Sequence, residues 1–438
     1  MAAPIRYHSL KDRNVSVSFR EAVSHGIAGN MGLYVPERIP RMDPGFFRRL
    51  PGLTLPEIAF EVGSEYIGVD IPYAVFRDIC NRAFDFPVVL RQIARRKHVL
   101  ELFHGPTAAF KDFGARFMSQ CFGYFSSTDD LRTVVLVATS GDTGGAIANS
   151  FLGIDGVDVV ILYPSGKVSP LQENQLTTLG HNITALEVEG TFDDCQAMVK
   201  AAFASLDTRG KIKLTSANSI NIARLIPQSF YYYYALSRVP GDARIISVPC
   251  GNFGNLTAAV MAWKSGLEVK HFIASTNVNK VVPEYLRTGL YKPSHTVATI
   301  ANAMDVGNPG NYERMIDLFD SDHGKIASVM SGYWFDDDQI RQHISDEYRR
   351  SGYILDPHGA VASLGLEKYL NDHPGASGVF VETAHPAKFS DIIEHEIGKA
   401  PEMPLTLSKT RAGRKESILI GAGYPYLKEY LRQRYSLS

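Results

Sequence analysis

The sequence predicts an α/β fold built on a mainly parallel sheet, and three observations carry that expectation. Short apolar runs of buried-strand type recur along the chain, as in Thr133-Val-Val-Leu-Val-Ala138 and Val157-Asp-Val-Val-Ile-Leu-Tyr163. Helix-prone segments alternate with them. Glycine-rich turns join strand to helix at two places, Ser140-Gly-Asp-Thr-Gly-Gly145 and Gly251-Asn-Phe-Gly-Asn255. Alternation of this kind is how crossover helices cover a parallel sheet.

Each element has its own local reason. After the 133–138 run comes the helix-prone Ala146 to Leu152, and Pro164 stops the strand that follows. Asp193 and Asp194 suit a helix start, with Met198, Val199, Ala202, Phe203 and Leu206 on one face at helical spacing. Arg244 to Val248 reads as a strand before the second glycine turn, and Leu256 to Lys264 as the helix after it. His271 to Ser275 and Gly378 to Thr383 are further strands. A helix is predicted over Ile220 to Arg238, where Phe230-Tyr-Tyr-Tyr-Tyr234 covers every face, so some rings are expected buried and some wet. Packing between domains is the favoured role for that run, ahead of ligand stacking. The chain is expected to divide into an N-terminal unit, 1–98, and a second unit, 99–438, with a C-terminal helical extension from about residue 400. The basic stretch Arg91 to His98 is read as a solvated helix end or linker, Lys409 to Lys415 as a solvated loop, and Glu416 to Arg434 as a terminal helical element.

Composition excludes several classes. The 438 residues, 45% hydrophobic and 21% charged, describe an ordinary globular chain of roughly two to four domains. Net charge is -1, which gives no global attraction to nucleic acid or to an anionic membrane, so an anionic substrate needs a local site. No run approaches the roughly 18 apolar residues that span a bilayer. Cys80, Cys121, Cys195 and Cys250 form no C-x-x-C pair. Scattered thiols fit a reducing compartment, and a cytoplasmic protein is expected, though two disulfides stay open. No metal site is expected: His104, His358 and His385 fall near interesting segments, but no H-E-x-x-H accompanies them. The G-x-S-x-G elbow of a serine hydrolase is absent.

Lys111 is the most informative residue. It sits in Phe103-His-Gly-Pro-Thr-Ala-Ala-Phe-Lys-Asp112, bracketed by apolar groups. Lost hydration favours its neutral amine, the form that attacks carbonyls. A plain surface lysine opening a helix is the alternative. The Gly251–Asn255 turn can converge backbone N–H groups at a helix start, a phosphate cradle. Its spacing matches neither a dinucleotide fingerprint nor a P-loop, and a simple connecting turn is the other reading. Ser140, Gly141 and Thr143 suit a substrate carboxylate, unless Asp142 or Thr143 merely caps a helix. Asn218, Ser219, Asn221 and Arg224 offer clustered donors, and arginine favours bidentate phosphate binding. A capped helix with a surface arginine would look the same.

Taken together, these segments resemble the threonine synthase family. The resemblance rests on the 103–112 run, Thr139-Ser-Gly-Asp-Thr143, Asn218-Ser-Ile-Asn221 with Arg224, Gly251-Asn-Phe-Gly-Asn255, Asn302-Ala-Met-Asp-Val306 and Thr383-Ala-His-Pro-Ala-Lys-Phe389. Leu10-Lys-Asp12 and Gly32-Leu-Tyr34 extend it to the N-terminus, so it covers essentially the whole chain.

It implies a pyridoxal-phosphate-dependent enzyme of fold type II, similar to the tryptophan synthase β chain. Two α/β lobes are then expected behind an added N-terminal threonine-synthase domain. By the same resemblance Lys111 bonds pyridoxal 5'-phosphate as a Schiff base and acts as general base. Gly251, Asn252, Phe253, Gly254 and Asn255 hold the cofactor phosphate. Thr383 faces the pyridine nitrogen, and Asp142 faces the phenolic oxygen, where related enzymes of the wider fold often carry Asn. Ser140, Gly141 and Thr143 hold the substrate carboxylate; Asn218, Ser219 and Arg224 hold its phosphate. Lys388 is a rival for the Schiff base, but neutralising an anion suits it better. The implied reaction turns O-phospho-L-homoserine and water into L-threonine and phosphate. A phospho-lyase giving 2-oxobutyrate, phosphate and ammonia is the alternative, and a non-catalytic binding homologue is a third reading. The expected partner is a small-molecule substrate, with no nucleic acid or membrane, and the chain acts as a monomer or homodimer.

Overall fold

Runs of β-branched and aliphatic residues become strands buried on both faces, as parallel sheets require. The computed structural model describes residues 4–205, 208, 211–239, 244–410 and 414–437. Near the N-terminus β1 (Tyr7–Ser9), β2 (Asp12–Val17) and β3 (Tyr34–Pro36) form a small antiparallel sheet in the order β2-β1-β3. The later strands are β4 (Val89–Ala94), β5 (Lys97–Glu101), β6 (Arg132–Ala138), β7 (Val157–Pro164), β8 (Ile183–Glu189), β9 (Ile212–Ser216), β10 (Ile245–Pro249), β11 (His271–Thr276), β12 (Met330–Trp334), β13 (Gly378–Glu382) and β14 (Ile418–Gly421).

They make two further sheets. One has the order β12-β11-β10-β13-β5-β4, parallel except for the β4–β5 hairpin. The other has the order β14-β8-β7-β6-β9 and is parallel throughout. Two α/β lobes result, with helices packed on both sheets. Parallel strands present their C-terminal ends on one side, where ligands of open α/β sheets bind. The turns after β5, β6, β9, β10 and β13 carry every residue of interest. None of the described helices is long and apolar enough to cross a membrane.

The N-terminal residues share a core with the helix Lys111–Ser126. Phe84 stacks on Phe113 and meets Phe230 edge-on, with centroids 6.2 and 5.8 Å apart. Phe76 meets Phe117 edge-on. These rings lie against the back of the helix Lys111–Ser126, so the N-terminal residues brace the element that begins with Lys111.

Several expectations change. The Arg91–His98 stretch is not a helix end or linker; it is the β4–β5 hairpin, with Lys97 and His98 buried. Ile220–Arg238 is not one helix. It breaks into the helix Ile222–Leu225, a 3-10 turn Ile226–Ser229 and the helix Phe230–Leu236, because Pro227 has no N–H to continue the ladder. The aromatic run is not split between core and water: Phe230, Tyr231, Tyr232 and Tyr233 are buried and Tyr234 is half-buried. Glu416–Arg434 is not all helix, since β14 extends the five-stranded sheet before the helix Tyr424–Tyr435. The helix started by Asp193 and Asp194 forms as Phe192–Ser205, while Leu206 lies outside the described residues. Of the 409–415 stretch, residues 411–413 lie outside them too, and Lys415 bridges Glu173 and Glu187.

Candidate active site

Lys111 opens its helix directly after the loop that leaves β5. Asp112 fixes that loop: its carboxylate accepts the Thr107 N–H at 2.9 Å and the Thr107 hydroxyl at 2.6 Å. Gly105 is required here, because a Cβ would lie 2.5 Å from the Asp112 carboxylate. Two backbone bonds, Phe110 N–H to Thr383 O and His385 N–H to Ala108 O, tie the loop to the segment after β13. Lys111 is half-buried and lines a cavity. Burial, reinforced by the Arg224 charge and opposed by Asp142, brings its amine down to about 8. At that value roughly a tenth of the amine is neutral at pH 7, far more than for an ordinary lysine.

The same cavity is lined by Gly251 to Asn255. Gly251 passes so close to the 302–304 turn that a Cβ would lie 2.5 Å from Ala303 O. Phe253 is left-handed at φ 60°, which turns the chain into the helix Gly254–Lys264. That helix start offers unpaired N–H groups and positive potential. Asn252 does not point freely: its amide donates to Ser219 Oγ and accepts from Gly310 N–H. Asn255 Oδ1 accepts from both Tyr231 and Tyr232 hydroxyls at 2.6 Å, which leaves its buried Nδ2 without a partner.

Arg224 is not on the surface. It is 1% exposed, donates Nη1 to Ala217 O, and leaves Nε unpaired. No described carboxylate lies within ion-pair distance of it. Burial pulls it down to about 10, with Asp112 opposing. Gly114 allows the close approach; a Cβ there would meet Arg224 Nε at 2.9 Å. Gln228 donates to Arg224 O at 2.6 Å, and its Oε1 is unpaired. An uncompensated buried cation is costly. Arg224 and Asn255, with unpaired Nε and Nδ2, line one cavity with a helix start, and these are donors suited to anions. The donor set therefore fits a phosphate-bearing cofactor and a phosphate-bearing substrate.

The 140–143 turn follows β6. Thr139 Oγ1 accepts from Gly141 and Gly144 N–H, and Gly141 sits at φ 145° against Gln172. Ser140 is exposed and Thr143 half-buried. Asn218 donates to Ala138 O at 3.2 Å, which holds the 218–219 turn beside the 140–143 turn at the ends of neighbouring β9 and β6. Asp142 accepts from Lys388 Nζ at 2.6 Å and from Gln172 at 2.9 Å. Burial pushes the Asp142 carboxyl up, but the Lys388 charge together with the hydrogen bonds from Lys388 and Gln172 holds the group below the usual range.

The structure thus brings Lys111, Gly251 to Asn255, Ser219, Arg224 and Thr383 to one cavity. Ser140, Gly141, Asp142, Thr143 and Asn218 do not line it; they stand next to it through the bonds just given. Asn221 is no donor to it, because its amide caps the helix Ile222–Leu225 and bonds Val23 O and Ser216 O.

Sequence reasoning missed Gln228 and the two tyrosine hydroxyls, and placed His358 near the site segments without giving it a role. His358 lines the cavity, donates Nδ1–H to Asp356 at 2.6 Å and accepts from Ala303 N–H through Nε2. The available signal was polarity inside otherwise apolar stretches. A larger cavity, about 720 Å³, lies against the N-terminal unit, but it contains neither a buried lysine nor a glycine turn at a helix start. His343, Glu347 and Glu367 also cluster, and there Lys97 and Arg350 supply the countercharge.

Residues 98–383 match the family model described as pyridoxal-phosphate dependent enzyme, and residues 6–84 match threonine synthase N terminus. A threonine synthase of Escherichia coli (strain K12) is 42% identical over 408 residues, covering 92% of this chain and 94% of that one. The crystal structure of threonine synthase from Escherichia coli superimposes with a TM-score of 0.92 at 39% identity, covering 98% and 100% of the two chains. A pyridoxal-phosphate-bound threonine synthase from Brucella melitensis does so with a TM-score of 0.90 at 31% identity, covering 98% and 99%.

Proposed function

The chain belongs to the threonine synthase family and catalyses its reaction, O-phospho-L-homoserine and water to L-threonine and phosphate with pyridoxal phosphate as cofactor, and we propose that Lys111 is the residue that bonds the cofactor and moves the protons. One observation carries the assignment. Lys111, the Gly251–Asn255 turn and Arg224 with its unpaired Nε line a single cavity.

When bound, pyridoxal phosphate supplies an electron sink for the substrate carbon that loses its proton. The protein supplies everything else. Lys111 Nζ, with its lowered proton affinity, takes a proton from the substrate and returns it later. The helix start at Gly254, with Asn255 Nδ2, holds the cofactor phosphate. Arg224, with Ser219 and Asn218, holds the substrate phosphate and stabilises it as it departs. Ser140, Gly141 and Thr143 orient the substrate carboxylate. Thr383 would offer a neutral hydroxyl to the ring nitrogen, and Asp142, paired with Lys388, would face the phenolic oxygen. His358 holds the Ala303 turn over Gly251 and so closes that side of the cavity.

In the same proposal the enzyme is cytoplasmic and acts as a monomer or homodimer. Four buried free thiols support a reducing compartment. The division at about residue 98 into an N-terminal unit and a catalytic unit also belongs to it, with the β4–β5 hairpin at the join. Incubation with phosphohomoserine and identification of the organic product tests the reading. Threonine with one equivalent of phosphate supports it, and 2-oxobutyrate as the main product contradicts it.

A further inference from the structure

We propose that Lys388 is a positioning residue, which through its bond to Asp142 locks the 140–143 turn onto the Lys111 loop and balances the charge that Lys111 faces. The proposal rests on Lys111 being the amine that bonds the cofactor.

The geometry joins three distant segments at one ammonium group. The Lys388 side chain has no exposed surface, and Asp142 retains only 7%. Lys388 Nζ donates to Asp142 Oδ1 at 2.6 Å and to Thr107 O at 2.9 Å. Thr107 belongs to the loop after β5, and Lys388 to the 3-10 turn Pro386–Phe389 after β13, so both stand on the six-stranded lobe. Asp142 begins the helix Asp142–Phe151 after β6, on the five-stranded lobe. The ion pair therefore crosses from one lobe to the other. Two amides on the helix Pro170–Thr177 strengthen the join: Gln172 donates to Asp142 Oδ1 at 2.9 Å, and Gln175 to Thr107 O at 3.3 Å.

Stability alone does not explain a lysine here. A buried ion pair is commonly no better than a packed apolar pair of the same volume. What an apolar pair cannot do is set the field at a neighbouring amine. Lys111 faces Arg224 from the helix Ile222–Leu225, Asp142 from the helix Asp142–Phe151 and Lys388 from the 3-10 turn. Asp112 follows it on its own helix, and His358 from the helix Pro357–Asp372 lines the same cavity. Arg224 and Lys388 oppose a proton on Lys111, while Asp142 favours one. The two halves of the pair act on Lys111 with opposite sign and offset one another in part. Either half alone is uncompensated by the other.

The test is a set of three full-length variants: Lys388→Met, Asp142→Asn and the double variant. Lys111 is titrated in the cofactor-free chain by competitive acetylation with acetic anhydride across a pH series, followed by peptide mapping. The account expects Lys388→Met to move the Lys111 midpoint up and Asp142→Asn to move it down, each by about one pH unit. The double variant is expected to return toward the parent value. Shifts of the same sign in both single variants, or no shift in folded protein, overturn the proposal. Should Lys388→Met fail to fold, Asp142→Asn decides by itself, since it keeps the shape of the side chain; a midpoint that stays or rises overturns the proposal. Hydride trapping of the parent enzyme is mapped first. A label away from Lys111 defeats the cofactor assignment, whereas a label on Lys111 with unmoved midpoints defeats only the role of Lys388.

Discussion

The Phe110 N–H donates to the Thr383 carbonyl at 2.9 Å, so the residue before Lys111 and the residue assigned to the cofactor ring nitrogen are held by one backbone bond. The bridge between Ala109 and Ala384 lies alongside. Amine and hydroxyl are therefore placed by main chain rather than by mobile side chains, and this precision lets side-chain changes around them be read one at a time.

Arg224→Met separates function from stability. Losing one partner of a buried charge contact costs about 2–5 kcal/mol, so kcat/KM for phosphohomoserine is expected to fall by roughly thirtyfold or more. The cofactor-free chain is expected to keep or raise its Tm, because the variant removes a buried cation that has no described carboxylate partner. Steady-state kinetics and thermal unfolding check both halves. A large fall in Tm contradicts the reading of Arg224 as a waiting anion site.

Tyr231 and Tyr232 are expected to act on the cofactor through Asn255. Both hydroxyls point at one Oδ1, and burial keeps both phenols firmly protonated, hence donors. Each Tyr→Phe change leaves one donor and is expected to cost about 1 kcal/mol. The double change frees the amide to rotate, and cofactor affinity is expected to weaken by more than the two single effects combined. An absorbance titration with pyridoxal phosphate measures this. Additive losses would show that the hydroxyls do not share a task.

Glu382 offers a contrast with its neighbour Asp356. Burial, and then Asp356, push the Glu382 carboxyl well above its usual range, which favours its neutral form. Glu382→Gln is therefore expected to cost about 1 kcal/mol or less. Asp356→Ala removes the acceptor for the His358 ring and the cap of the helix Pro357–Asp372, and is expected to cost about 2–4 kcal/mol. Denaturant unfolding of the two variants compares them directly; equal costs contradict a protonated Glu382.

Lys111 gives a pH signature of unusual sign. Its folded value of about 8 lies below the ordinary 10.5, so the unfolded chain holds more protons between those limits. Stability of the cofactor-free chain is expected to rise with pH across that window, as the burial penalty on the ammonium is lost. The rate of cofactor capture is expected to climb about tenfold from pH 7 to a plateau above roughly pH 9, following the neutral amine. Stopped-flow absorbance records that rise. A flat profile contradicts a poised amine.

How much of this was legible in the chain depends on the range of the interaction. The aliphatic runs at 133–138 and 157–163 announced β6 and β7, because strands buried on both faces need no partner to look apolar. Glycines marked the 141 and 251 turns, where a left-handed φ or close backbone contact excludes a side chain. The β4 strand was hidden because Arg91 and Gln92 face solvent in its middle, and β14 because four residues at a sheet edge leave no pattern. Pro227 was visible and should have divided the predicted helix. The pairing of Lys388 with Asp142 was beyond reach: 246 residues separate them, and only the meeting of two lobes brings them together.

The most direct test of the account is reduction of the cofactor-loaded enzyme with borohydride, followed by peptide mapping. A single pyridoxyl label on Lys111 is expected, and Lys111→Ala is expected to lose both the label and turnover while remaining folded. A label on Lys388, or turnover without Lys111, contradicts it.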